Sequence, residues 1–261
     1  MTVFVHELRR ARLSLILWTA VVAFMLAVCV MIYPEMAGDM DEMSQMFSDM
    51  GSFSAAFGMD KLNFGEFMGY FGIECGNVLG IGGAMFAAIL GVSALSKEEK
   101  DQTAEWLLTH PVSRGSVLTQ KLAAVIVQVL IFNIGVAAVT AGSIVAIGEQ
   151  VEAVEITLVL LSYAVLQLEI ALMMFGVSAF LRRGGMAVGI GAAFALYFLN
   201  LVANLIEEAE WLKFITPFGY TDSAYIVEHH ALDPAYVAVG AVLAVALTAV
   251  GAAYYAKKDI H

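Results

Sequence analysis

Long apolar runs separated by short polar segments organise this chain. Six runs, at about 14–34, 70–95, 122–147, 156–181, 186–206 and 235–256, reach the roughly 20 mostly apolar residues that a bilayer-crossing helix requires. They predict an all-α integral membrane protein with one transmembrane domain over residues 1–261. The first run follows the basic stretch HELRRAR, so a cleaved leader has to be weighed. Its apolar length, Leu13 to Tyr33, exceeds the roughly 7–15 residues of a signal-peptide core, and YPEMAGDM is a poor cleavage site. A retained first span is expected.

Composition agrees with lipid as solvent. The chain is 61% hydrophobic and 14% charged, against roughly 45–50% and about 25% for soluble domains. Polar residues are too few to cover a soluble globule of 261 residues. Charge sets the orientation. If the six runs all cross, the ends and connections alternate between two sides. Arg9, Arg10, Arg12, Lys97, Lys100, Arg114, Lys121, Arg182, Arg183, Lys257 and Lys258 share one side, and Lys61 and Lys213 lie opposite. The positive-inside rule makes the rich side cytoplasmic, with both termini there and the chain in the cell membrane. The net charge of −11 lies mostly on the outside, where 16 of the 24 acids fall. Such a face attracts cationic cargo or ions, although acids outside also need no special role.

Catalytic signatures are missing. There is no G-x-x-x-x-G-K-[ST] phosphate loop, H-E-x-x-H, G-x-S-x-G or cysteine-based zinc spacing. The chain is therefore not expected to be an enzyme or to carry a cofactor. His229 and His230 stand near Asp222, Glu228 and Asp233, but adjacent histidines diverge in an extended chain, and no metal is assigned. Cys29 and Cys75 lie in predicted spans and read as free thiols.

The most informative polar segment is the loop 96–121, SKEEKDQTAEWLLTHPVSRGSVLTQK. Lys97 to Trp106 is rich in helix formers. Pro111 ends that helix, because proline disfavours helix at the residue before it. Ser113-Arg114-Gly115 then turns the chain towards the third span. Trp106, Leu107 and Leu108 give the short helix an apolar tip.

At these residues the chain resembles type-2 ABC transporter permeases. That family carries an acid-rich stretch, a Gly-Thr-(Leu or Ala)-Glu-like box, two apolar residues and Pro-(Val/Ile)-(Ser/Thr)-Arg. Here Glu98 and Glu99 lead into Gln102-Thr103-Ala104-Glu105, then Trp106-Leu107-Leu108, Pro111-Val112-Ser113-Arg114 and Lys121. Gln102 stands where the family usually has glycine. The likeness extends over the whole chain, including the basic N-terminal stretch and Thr216-Pro217-Phe218-Gly219-Tyr220 in the last exterior connection.

The resemblance implies a coupling helix, with Glu98, Glu99, Thr103, Glu105, Trp106, Leu107, Leu108, Pro111 and Arg114 docking on a separate ATPase subunit that binds ATP and Mg. It also implies an N-terminal elbow helix over Thr2–Arg12. That stretch is amphipathic enough to lie at the inner interface. Residues 207–234 are expected to dip back into the membrane around Trp211, Phe214, Pro217 and Phe218. Two permease copies, a homodimer by default, pair with two ATPases.

Glycines and polar residues inside the spans complete the picture. Gly72, Gly76 and Gly80 form a stripe on the second span, and Gly185 and Gly189 another on the fifth. Both suit close helix approach, within one bundle or between permeases. Glu74 and Glu169 are acids within spans and hence functional candidates, although Glu74 also lies where it can reach the outer interface and Glu169 can serve either as interhelical glue or in a substrate or gating role. Glu169 has Gln167 nearby and Asn133, Asn200 and Asn204 on other spans. Outside, in segment 36–69, Met36, Met40, Met43, Phe47 and Met50 repeat at helical spacing as an amphipathic helix. It caps the bundle, lies on the outer leaflet or gates the exit.

The expected function is the permease of an ATP-driven exporter. Its cargo is hydrophobic or amphipathic: a peptide, toxin, drug or lipid-like compound. The alternative is an ion-coupled secondary transporter with Glu169 as proton carrier.

Overall fold

The computed structural model describes residues 2–37, 51, 54, 66–100, 113–181 and 185–258. Among these there is no strand, and six helices are long and apolar enough to cross a membrane. The first span is Thr2–Met36. The second runs through Phe67–Cys75, a π-helical stretch Gly76–Gly83, and Ala84–Lys100. The third is Arg114–Ile147, the fourth Ala153–Ser178, the fifth Gly185–Leu205 and the sixth Pro234–Lys257. Between the last two lie a 3-10 helix, Glu207–Phe214, and a short helix, Ser223–His229.

Local chemistry accounts for the boundaries that differ from the apolar runs. The third span begins at Arg114 because the Ser113 side chain accepts from Ser116 N–H at 3.2 Å, satisfying a donor the first turn leaves orphaned. Its amphipathic start and its membrane portion are one helix. The N-terminal basic stretch is likewise continuous with the first span. Asp233 caps the sixth span through Ala235 N–H at 2.8 Å, with Pro234 at its first position. In the second span, four glycines within Gly76–Gly83 have low α-helical propensity and permit the wider π-helical turn.

The second and fourth spans are the most buried and form the centre. The first and third pair along their lengths on one side. The sixth packs on the fourth, and the fifth on the second. Small residues set these approaches. A methyl at Gly91 would strike the Ala171 carbonyl, and Gly176 and Gly251 bring the fourth and sixth backbones into contact. Thr248 adds a bond to Leu172 O at 2.9 Å.

Apolar packing falls into two clusters. One, including Leu26, Tyr33, Phe71, Phe132 and Tyr163, occupies the half nearer the acidic end. The other, including Val92, Leu95, Ile170, Phe175 and Tyr255, occupies the half nearer the basic end. Phe218 and Tyr220 belong to the second cluster although their segment joins the fifth and sixth spans at the acidic end.

Candidate functional site

The site develops around Glu169, in the fourth span. It lies sixteen residues from Ala153, or about 24 Å along the helix axis at 1.5 Å per residue. Its side chain is 4% exposed. Oε2 accepts from the Tyr220 hydroxyl at 2.8 Å, whereas Oε1 is buried with no hydrogen-bond partner among the described residues. Gly240 of the sixth span abuts the carboxylate; a Cβ there would lie 2.8 Å from Cδ and 3.0 Å from Oε1. Three pieces of chain therefore meet at one carboxyl group.

Tyr220 reaches this depth because its segment is anchored on both sides. The Thr216 hydroxyl donates to Leu196 O of the fifth span at 2.9 Å. The Phe218 ring packs edge-on to Tyr197, with centroids 5.6 Å apart, and faces Gly80. Ser223 donates to Gly72 O at 3.4 Å. Gly80 admits both Phe218 and Tyr163, and Gly76 faces the Tyr163 hydroxyl. The second-span stripe thus receives the fourth span and the 216–223 connection. Gly185 and Gly189 face Val92, Ser96 and Ala88 of the second span.

The polar groups expected near Glu169 are distributed otherwise. Asn133 donates to Gln167 Oε1 at 2.8 Å, and Gln167 packs against Gly83. This pair ties the third and fourth spans on a face away from Tyr220. Asn200 and Asn204 are half-buried on the fifth span, which packs mainly on the second span and the 3-10 helix. Glu74 faces the first span, accepting from the Cys29 thiol at 3.3 Å. Cys29 and Cys75 are both free.

At the acidic end, Glu152, Glu155 and His230 gather with ligand atoms within 4.8 Å of one another. The acids beside His230 come from the start of the fourth span, not from its sequence neighbours. His229 turns away to stack on Tyr225, with centroids 4.1 Å apart.

At the basic end, ionic bonds knit the helix termini. Glu7 pairs with Lys97 and Lys121. Arg114 donates to Ala256 O at 3.3 Å and Lys258 O at 2.7 Å, closing the last turn of the sixth span. Lys258 donates to Ala179 O at 3.0 Å. Thr103, Glu105, Trp106, Leu107, Leu108 and Pro111 lie outside the described residues, as do Met40, Met43 and Phe47 and the side chains of Glu98 and Glu99.

Sequence reasoning missed Tyr220 as the partner of Glu169, Gly240 as its neighbour, and Glu7 altogether. Tyr220 was legible only as part of Thr216–Tyr220. Gly240 carries no signal beyond being a glycine in an apolar run. Glu7 reads as one acid among bases in an amphipathic stretch.

What the arrangement can do follows from the carboxyl. One oxygen is held and the other is open, in surroundings where an unmatched polar group is costly. Such a group can hold a proton or a hydrogen-bond donor. Its closure depends on where the 216–223 connection and the sixth span stand.

The family model described as ABC-2 family transporter protein matches residues 1–260. No curated protein matches the chain.

Proposed function

The chain belongs to the ABC-2 transporter family and is a multi-pass permease subunit; on that premise, we propose that it is half of the membrane unit of an ATP-driven exporter. Two copies pair with two ATPase subunits, which bind the ATP and Mg. Residues 98–115 are the coupling segment between the ATPases and the spans. The basic end faces the cytoplasm, with both termini there, and the protein resides in the cell membrane.

The match over nearly the whole chain carries this reading. A permease needs a driver encoded elsewhere, and the sequence has no phosphate loop of its own. The cargo is hydrophobic or amphipathic, with a preference for cationic peptides. The scarcity of charge inside the bundle and the acidic exterior support that class. Glu169 lies on the pathway, and the 207–234 connection dips into the membrane to close over it. The Tyr220–Glu169 bond and the packing of Phe218 on Gly80 support this placement.

Purification of the tagged chain from its native membrane in mild detergent tests the assembly. An ATPase subunit in comparable amount is expected with it. A permease recovered alone, with function intact in ATP-free vesicles under an ion gradient, overturns the proposal in favour of an ion-coupled carrier.

A further inference from the structure

Glu7 sits in the second turn of the first span, yet its side chain is turned inward and only 7% exposed. One carboxylate oxygen accepts from Lys121 Nζ at 2.7 Å and the other from Lys97 Nζ. Lys121 is itself 1% exposed and donates a further bond to Ala94 O at 2.9 Å. Nearby, Phe4 N–H donates to Gln120 Oε1 at 3.3 Å, fixing the first turn of the first span on the third.

The position of the two lysines gives the cluster its meaning. Lys97 lies in the last turn of the second span and Lys121 at the start of the third turn of the third. The chain between those two points, residues 98–120, contains the segment 98–115. A single buried carboxylate therefore ties both flanks of that segment to a third helix. The first span packs chiefly along the third, so the Lys97 bond adds a link to the end of the second.

Stability alone is a weak reason for such a cluster. Buried ions lose hydration, and well-packed apolar side chains generally do as well. A hydrogen-bonded ionic joint does what apolar packing does not. It has fixed geometry and direction, so displacement of either lysine reorients the carboxylate and the helix that carries it. Coupling between distant sites travels through such contiguous hydrogen-bonded networks.

We propose that Glu7 is the joint that carries movement of residues 98–115 to the first span. It is a positioning residue for coupling and makes no contact with the ATPase. This rests on the reading of residues 98–115 as the coupling segment.

The test uses the complex of the chain with its co-purified ATPase, in lipid nanodiscs. Leu13→Cys, 66% exposed on the first span, is introduced in a Cys29→Ala/Cys75→Ala background. Its rate of maleimide labelling is measured with and without ATP and vanadate. ATP is expected to change that rate when Glu7 is present. Glu7→Gln is expected to keep ATPase association and hydrolysis while shrinking the ATP-dependent change at least about fivefold, the lower end of typical coupling between sites. Lys97→Gln, which leaves the Glu7–Lys121 pair in place, is expected to shrink it in the same direction and serves if Glu7→Gln fails to fold. An undiminished ATP response in either folded variant, or no ATP response with Glu7 present, overturns the inference. Absence of any ATPase from the unsubstituted preparation instead overturns the coupling reading beneath it.

Discussion

Replacing Gly240 by alanine adds one methyl group where the sixth span meets the Glu169 carboxylate. The new Cβ would lie 2.8 Å from Cδ and 3.0 Å from Oε1, closer than packed atoms tolerate. Either the sixth span moves out or the carboxylate turns, giving up the 2.8 Å bond from Tyr220. Overpacking of this kind costs about 1–3 kcal/mol, and a hydrogen bond to a carboxylate contributes about 1.5–3 kcal/mol. Against this, alanine exceeds glycine in helix propensity by about 1 kcal/mol. The net expectation for Gly240→Ala is a destabilisation of up to about 2 kcal/mol, with the steric term outweighing the propensity gain. Removing the obstruction should reverse the sign: in a Glu169→Ala background the same methyl fills vacated space and the propensity gain remains. The two substitutions should therefore be non-additive by at least about 1 kcal/mol. Thermal unfolding of the four proteins in one detergent measures this. A 1 kcal/mol difference corresponds to a shift of about 2–4 °C for a chain of this size. Equal effects of Gly240→Ala in the two backgrounds would refute the contact.

Other substitutions probe the remaining contacts. Gly91→Leu drives a side chain into the Ala171 backbone and is expected to abolish a monodisperse peak in size-exclusion chromatography, whereas Gly191→Leu, with nothing within 4 Å, leaves folded yield unchanged. Arg114→Ala removes the donor to Ala256 O and Lys258 O; hydrogen exchange should rise in the last turn of the sixth span while the span centres stay protected. Glu105→Ala is expected to lower recovery of the ATPase without altering the melting temperature of the chain; unchanged recovery and transport would remove residue 105 from the coupling segment. Glu169→Gln should leave hydrolysis in place but change transport, and transport that is unchanged at every pH would remove Glu169 from the pathway.

The membrane portion of this fold was legible because its cause is local. An apolar run of sufficient length must form a helix in lipid, where backbone groups have no other partner. Six such runs therefore gave six helices, though caps move their starts: Asp233 sets the sixth at Pro234, beside its apolar run, whereas Ser113 starts the third at Arg114, well ahead of its own. Glu169 was also legible, because an acid in an apolar run stands out. Its surroundings were not. Gln167 and the asparagines on other spans were expected around it, yet Asn133 bonds Gln167, and Tyr220 takes the carboxylate from fifty-one residues away.

The sequence by itself determined the solvent, the number of spans and the segregation of basic residues, since each depends on composition within a window. Tertiary structure decided which glycines admit which neighbours. Gly76 and Gly80 receive Tyr163 and Phe218, and Gly240 receives Glu169; every one of them is just a missing side chain until the facing helix is in place. Tertiary structure also decided that Glu7, one acid in a basic stretch, closes an ionic joint between Lys97 and Lys121. Pairings of this kind depend on rotation and register between helices far apart in the chain, which no window of sequence records.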